Sequence, residues 1–382
     1  MKAYSNECLE VLDLLKARKN VLLMGAPGCG KTLLMSEVAD AFKNGFVTIG
    51  SPAVPTHVGG SAVTIPRSIP TSAGTTPIAQ MPSPDRTNRE VFRTVFSANS
   101  KPRDFLTGLV PKIDSSASGL GFKVAQGKLV VANNYAQEPK GAALLVIDEL
   151  NRGPAVQLFG DAIVAIEADK RMADDDSIPF KAFPFDVLDP ATGAQTPTYL
   201  SAHLYILAAM NQADVSVEPL DVAFIRRWER YMLSPEPEKV RAKLASSGAS
   251  VTLPDVPTSP GDVVEAAIRA WESVNQRIAL GRGAEFQLGH GVFFSRANVA
   301  MASMAEALCL AVSCWAAITA HLDEVFFGDA FGIAATLRAD LSEGHYRLES
   351  VPFGQEQRQM LRSPGTIDSS NIYQLLCWVG RS

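Results

Sequence analysis

Apolar residues along the chain fall into two rhythms. Continuous short runs bounded by polar residues read as buried strands, and runs with helical spacing lie between them. Leu9, Val11, Leu12, Leu14 and Leu15 give residues 7–19 an amphipathic helical stripe. Residues 21–24 form a first apolar strand, residues 33–42 an amphipathic helix and residues 46–49 a second short strand. Pattern returns at 91–96 and 104–110. Residues 121–131 read as a hairpin region leading into a helix near Asn133. The uninterrupted run 143–147, with polar residues directly after it, suits a central parallel strand buried on both faces. A helix over 156–167, a buried strand over 204–209, a short helix over 219–227 and a last strand over 229–233 follow. Strands alternating with helices predict a doubly wound α/β domain.

Two stretches break the rhythm. Residues 51–85 are dense in Pro, Ser, Thr and Gly with few charges, which predicts a long loop or flexible insertion. It reads equally as an element facing a pore or partner and as a solvated excursion. Proline-rich breaks at 234–237 and 253–260 mark a domain change. Beyond them the pattern is helical: 263–278, 297–321, then 333 onward. The expected division is 1–250 for the α/β domain and 251–382 for a helical domain.

Composition narrows the class. A chain of 382 residues, 47% hydrophobic and 20% charged, is long enough for two cores. A net charge of -5 argues against coating nucleic acid through a broad basic face. The five cysteines, Cys8, Cys29, Cys309, Cys314 and Cys377, are scattered without a C-x-x-C pair. Neither a zinc site nor a disulfide framework is indicated, and a reducing cytoplasmic setting is expected. The polar first ten residues lack a signal-peptide core. Residues 297–322 are apolar, but Glu306 interrupts them, so a buried helix is expected rather than a membrane span.

The chemistry concentrates in Gly25-Ala26-Pro27-Gly28-Cys29-Gly30-Lys31-Thr32. This G-x-x-x-x-G-K-S/T loop stands between a strand and a helix, the context that confirms it. Its glycines let backbone N–H groups turn toward phosphate oxygens, and the following helix, through Leu33, presents its positive dipole end. Lys31 is expected at the β- and γ-phosphates and Thr32 on Mg²⁺. Asp148 and Glu149 end the strand over 143–147. Asp148 suits the Mg²⁺ shell and Glu149 the activation or orientation of a water. Asn211, after the strand over 204–209, fits a γ-phosphate sensor and equally a turn residue. Arg226 and Arg227 fit a finger onto a neighbouring subunit's nucleotide, or two solvated cations at a helix end.

These pieces stand in the order of the AAA+ ATPases, and their detail resembles the McrB-like branch, related to dynein-type and MoxR-type modules. Arg103-Asp104-Phe105 with Gly108 and Pro111 resembles its Y-E-D-F-x-x-G-x-x-P. The stretch from Ile147 to Gly153 resembles I-D-E-I-N-R-G. Leu158-Phe159-Gly160-Asp161 followed by Ile166-Glu167 and Asp169-Lys170-Arg171 resembles F-G-E-L-L-x-L-I-E-x-D-K-R. Met210-Asn211 with Ala213-Asp214 and Ser216 resembles M-N-T-A-D-R-S, and Leu220-Asp221 through Trp228 resembles L-D-x-A-L-R-R-R-F. Gln287 to Phe293 resembles I-G-H-S-Y-F. The resemblance covers about residues 21–327.

It implies an α/β AAA+ P-loop NTPase with a parallel sheet core and a C-terminal helical lid. It implies a hexameric ring with nucleotide between subunits, Asn211 as sensor, Arg226 or Arg227 as the trans finger and His290 where the lid approaches nucleotide. Asn151, Arg152 and Asp214 join the subunit-interface and nucleotide network. Gln212 and Val215 depart from the Thr and Arg of M-N-T-A-D-R-S, so a GTP preference does not carry over; the resemblance implies ATP, which most AAA+ relatives use, with GTP as the alternative. Ile225 replaces one arginine and Asp161 shortens a glutamate. Arg296 is a remote candidate for the lid's sensor arginine.

About twenty residues precede the first strand, so recognition of nucleic acid, nuclease action or both are expected from another protein, an McrC-type or other effector subunit. The expected role is the motor of a restriction or phage-defence complex. A MoxR-like chaperone acting on a protein client is the alternative, and a nucleotide-gated scaffold with little turnover a third. Intact Lys31, Thr32, Asp148 and Glu149 argue against the scaffold.

Overall fold

The computed structural model describes residues 4–44, 46–47, 76–77, 86–112, 121–213, 220–296, 303–339 and 345–381. The chain forms two compact units. One comprises Met1–Leu23, Thr32–Met210 and Ser216–Tyr231, the other Met24–Lys31, Asn211–Val215 and Met232–Ser382.

The first unit begins with α1 (Asn6–Arg18), capped by the Ser5 hydroxyl, which accepts from the Cys8 N–H at 3.2 Å. Its stripe buries Cys8, Val11, Leu12 and Leu15. β1 (Asn20–Gly25) is buried at every position and leads through the glycine loop to α2 (Lys31–Asn44). β2 (Phe46–Val47) pairs antiparallel with β3 (Thr76–Pro77). Then come β4 (Asn88–Val95), α3 (Pro102–Phe105), the hairpin of β5 (Thr107–Lys112) and β6 (Gly121–Gln126), and α4 (Lys128–Gln137). β7 (Gly141–Asp148) is followed by α5 (Ala155–Phe159), α6 (Ala162–Ala165), a second hairpin of β8 (Phe185–Leu188) and β9 (Gln195–Thr198), β10 (Leu204–Ala209), α7 (Val222–Ile225) and β11 (Glu229–Leu233).

The sheet order is β11-β1-β10-β7-β4, with β1, β10, β7 and β4 mutually parallel. Leu23 pairs with Ala209 and Ala208 with Ile147, so the carboxyl ends of β1, β10 and β7 lie along one edge. That edge is where an open α/β sheet places its ligands. The central apolar strands are where the hydrophobic pattern puts them.

Several expectations needed correction. The helix over 156–167 is broken into α5 and α6 by Gly160, whose φ of 48° is left-handed. The short helix over 219–227 contracts to α7, which starts where the Asp221 carboxylate accepts from the Ala223 N–H at 2.8 Å. The β8–β9 hairpin was not expected. The insertion over 51–85 lies outside the described residues apart from Thr76–Pro77.

The second unit contains α8 (Pro237–Leu244), α9 (Pro260–Gly281), α10 (Gly291–Phe294), α11 (Met304–Val325), α12 (Ala330–Thr336), the hairpin of β12 (Arg347–Phe353) and β13 (Glu356–Arg362), and α13 (Ile372–Val379). α9 starts at a capping box: Ser259 caps Asp262, whose carboxylate accepts from the backbone of Thr258 and Ser259 at 2.9 Å each. α9, α11 and α13 share a core built on Trp271, Trp315, Ile318, Leu322, Leu375 and Leu376. Each such side chain contributes about 1.5–3 kcal/mol of burial.

α11 is the described helix long and apolar enough to cross a membrane by length and composition. Leu310, Cys314, Trp315, Ile318 and Leu322 on it are buried in this core. The unit is mostly helical, as expected, and the β12–β13 hairpin is the part that the helical pattern did not mark. There Leu348 faces Leu361 across the hairpin, both pack on the core, and Gly354 turns the chain at a φ of 67°.

Candidate functional site

The glycine loop is a strained turn held from the C-terminal unit to which its residues 24–31 belong. Gly25, Gly28 and Gly30 have φ of 144°, 79° and 89°, a region side chains disfavour. A Cβ on Gly25 would lie 2.2 Å from the Leu233 carbonyl oxygen. The segment before α10 lies flat on the loop. Gly289 N–H donates to the Pro27 carbonyl at 2.8 Å and Gly291 N–H to the Gly28 carbonyl at 2.9 Å. Neither glycine admits a side chain: a Cβ on Gly289 would meet Gly28 C at 2.1 Å, and one on Gly291 would meet Gly28 O at 2.8 Å.

His290, buried between these glycines, accepts the Glu236 N–H at Nδ1 (3.3 Å). That bond leaves the proton of a neutral ring on Nε2, which faces the Gly30 side of the loop. Lys31 is buried, and its ammonium donates to the Gly25 and Ala26 carbonyls at 2.8 and 3.0 Å. Its charge is therefore gathered onto the loop. Cys29 is buried too, and burial pushes its thiol up to about 11. At neutral pH it is a small apolar filler rather than a nucleophile. Thr32 and Leu33 open α2; Leu33 is 75% exposed.

The two carboxylates emerge from β7. Asp148 is its last residue, and its Oδ1 accepts the Glu149 N–H at 3.0 Å. Glu149 stands in the left-handed region at φ 54°, ψ 46°, a conformation that costs a non-glycine residue about 1–2 kcal/mol. Such strain clusters at functional positions. The Glu149 carboxylate lies 3.2 Å from Arg152 Nε. Arg152 N–H also donates to the Glu149 carbonyl at 2.9 Å, which holds the turn. Asn211 is half-buried and follows Met210, whose N–H donates to Leu23 O at 3.0 Å. Asp214 lies outside the described residues.

The adjacent arginines differ. Arg227 is 13% exposed in its side chain. Its Nε lies 2.9 Å from Glu167 Oε1, and its Nη1 donates to the Ala223 carbonyl. Arg226 is exposed and makes no side-chain hydrogen bond or ion pair among the described residues. Phe224 and Trp228, both buried, pin the turn on either side. They belong to an aromatic cluster with Phe159, Phe105 and Phe96, with centroid spacings of 4.7–6.4 Å. An open cleft of about 600 Å³ lies beside the turn, lined by Arg18, Glu167, Asp169, Arg226 and Trp228.

Each unit carries groups that suit a magnesium nucleotide. The positive-φ glycines shape a backbone cradle and Lys31 supplies the cation. Thr32 and Asp148 are hard oxygen donors. No cluster of three or more His, Cys, Asp or Glu residues that could hold a metal occurs among the described residues. Mg²⁺ ordinarily takes one or two protein ligands and completes its shell with phosphate and water.

The model of the ATPase family associated with various cellular activities (AAA) matches residues 21–75. The Escherichia coli K12 type IV methyl-directed restriction enzyme EcoKMcrB subunit is 24% identical over 294 residues, 74% of this chain and 49% of that protein. The Bacillus subtilis 168 type II restriction enzyme BsuMI component YdiS is 27% identical over 236 residues, 60% of each chain. The chain is therefore similar to the McrB-like AAA ATPases. The chain spans about half to three fifths of the length of these two relatives. A crystal structure of a candidate ATPase from Cytophaga hutchinsonii aligns over 98% of this chain and 89% of that one, at 16% identity and a TM-score of 0.32.

Similarity to the AAA ATPases supports NTP hydrolysis in general. Several of the chain's motif residues serve shape rather than chemistry. Phe105 fills the aromatic cluster. Gly108 lets the chain pass Arg103, where a Cβ would come within 2.2 Å of the Arg103 Cβ. Arg171 is buried and held by carbonyls and Asn20. The sequence reading missed Asn20, Glu236 and the bracing part of Glu167. A polar Asn opening an all-apolar strand was the available signal for the first; the other two depend on contacts between distant segments.

Proposed function

We propose that this chain hydrolyses ATP with Mg²⁺ at the interfaces of an oligomeric ring. The observation that carries this reading is the sheet edge. There the end of β1 runs into the glycine loop, and β7, two strands away, ends in Asp148 followed by the strained Glu149. In this reading Lys31 and the loop N–H groups hold the phosphates, and Thr32 and Asp148 hold Mg²⁺. Glu149 orients and deprotonates the attacking water, and Asn211 senses the γ-phosphate. Mg²⁺ supplies neutralisation of phosphate charge when bound. Arg226 is the trans finger, because its guanidinium is uncommitted while that of Arg227 is engaged within its own chain.

The ring would serve as the motor of a restriction-type complex. Both curated relatives are named as restriction-enzyme parts. Recognition of nucleic acid, nuclease action or both would come from a partner subunit. The test is ATP turnover with Mg²⁺ by the wild type, Lys31→Ala and Glu149→Gln. A pull-down with Glu149→Gln and ATP from the native cell accompanies it. A co-purifying nuclease subunit or nucleic acid supports the restriction reading. A protein client without either moves the function to remodelling.

A further inference from the structure

The turn that carries Arg226 is braced by a chain of polar contacts starting at Arg171. Arg171 is 1% exposed, and no carboxylate meets it among the described residues. Its Nε donates to the Ile166 carbonyl at 3.0 Å, its Nη1 to the Leu204 and Ser201 carbonyls, and its Nη2 to Asn20 Oδ1. Asn20, itself 1% exposed, passes the constraint on. Its Nδ2 donates to the Ile166 carbonyl and, at 3.4 Å, to the Arg227 carbonyl. Glu167, the residue after Ile166, takes the Arg227 guanidinium at 2.9 Å. Arg227 is thus tied at both its carbonyl and its side chain to residues 166–167 and to the root of β1. Arg226, one residue earlier, has no such tie.

A buried cation with each nitrogen on a carbonyl or an amide oxygen is an expensive way to fill space, because charges away from water are retained only where they are hydrogen-bonded. Here its satisfaction locks the orientation of Asn20, and Asn20 fixes the amide on which the Arg227 carbonyl rests. Side chains that act at a distance of one residue gain from such support, since a finger must reach a phosphate within a fraction of an ångström.

We propose that Glu167, seconded by Asn20 and Arg171, is the positioning residue of the finger. Its ion pair makes Arg227 a strut, and the strut aims Arg226 out of the subunit. The Glu167–Arg171 stretch then acts on the neighbouring subunit's nucleotide without touching it. This rests on the reading of Arg226 as a trans finger.

The experiment measures ATP turnover of Glu167→Ala, Arg227→Ala and Arg226→Ala, alone and mixed with Lys31→Ala subunits. Melting temperature and binding of a fluorescent ATP analogue are read alongside. Mispositioning a reacting group by about 1 Å costs ~10²-fold, so Glu167→Ala is expected to lose ~10²-fold in kcat with nucleotide affinity unchanged. Mixing with Lys31→Ala should restore turnover, since that variant brings an intact turn. Glu167→Gln keeps the shape, guards against a folding failure and should show the same trans defect. Exchanging the charges as Glu167→Arg with Arg227→Glu should recover turnover in the absence of any partner variant.

Wild-type turnover by Glu167→Ala and Glu167→Gln would overturn the proposal. So would a Glu167 defect that mixing leaves unrepaired while the Arg226→Ala defect is repaired. If Arg226→Ala itself turns over normally, the trans-finger reading has failed and the proposal falls with it.

Discussion

Gly289 lies with its backbone N–H 2.8 Å from the Pro27 carbonyl, and a side chain there would sit 2.1 Å from Gly28 C. The phosphate loop is therefore shaped from outside as well as by its own glycines. Gly289→Ala must displace one backbone or the other. Overpacking of this kind costs about 1–3 kcal/mol, and at 1.4 kcal/mol per decade this predicts a ~10–100-fold loss of nucleotide affinity. Titration with a fluorescent ATP analogue checks it. Gly193→Ala, at a φ of 72° with no atom within 4 Å, is the control that should leave affinity unchanged.

Glu149 combines strain with chemistry. Glu149→Gln should bind nucleotide normally and lose about 10²–10⁴-fold in hydrolysis, the usual scale of acid–base help. Glu149→Gly removes the left-handed penalty, worth about 1–2 kcal/mol, against the extra entropy glycine loses on folding. It should melt no lower than wild type while hydrolysing no better than Glu149→Gln. Calorimetry and a phosphate-release assay separate the two effects.

The buried Glu265 carboxylate in α9 is 0% exposed and shared by two arginines, Arg241 at 3.0 and 3.1 Å and Arg269 at 2.8 Å. Glu272 and Glu238 meet the outer side of Arg241. Stranding one partner of a buried pair costs about 3–5 kcal/mol, but without Glu265 Arg241 keeps Glu272 and Glu238, and Arg269 keeps the Gly248, Ala249 and Val251 carbonyls. Glu265→Ala should therefore destabilise the C-terminal unit in urea unfolding by less than that, and by more than Glu238→Ala, a pairing with an exposed carboxylate, which should change little.

The phosphate-loop thiol gives a pH signature. Burial raises Cys29 to about 11, above the ~8.5 of a free thiol. The neutral form is the one the fold prefers, so its contribution to stability is complete below about pH 8.5 and is lost as pH rises through about 11. Iodoacetamide near neutral pH should label the exposed Cys309 and spare Cys29. Labelling of Cys29, followed by peptide mass, should appear on approaching pH 11 or on unfolding.

The centre of the parallel sheet was readable because β1, β10 and β7 carry uninterrupted apolar runs at 21–24, 204–209 and 143–147, whereas the edge strand β4 mixes Arg and Glu with its apolar residues. The phosphate loop and Asp148-Glu149 were readable because their chemistry demands those residues in that order. The β8–β9 and β12–β13 hairpins escaped because most of their side chains are exposed, so no apolar alternation marked them. Only Leu348 and Leu361 carry the register of the second. The split between α5 and α6 depends on the left-handed Gly160, which a glycine within a helical pattern does not by itself announce. Arg226 and Arg227 are equivalent on paper. Glu167, sixty residues away, distinguishes them.

The central claim is Mg²⁺-dependent hydrolysis by this loop and this carboxylate. The most direct measurement is steady-state phosphate release from ATP by the wild type, Lys31→Ala and Glu149→Gln, each with Mg²⁺ and with the metal chelated. The account predicts turnover by the wild type with Mg²⁺ alone, lost in both variants, with nucleotide still bound by Glu149→Gln. Hydrolysis indifferent to Lys31→Ala and Glu149→Gln would contradict it.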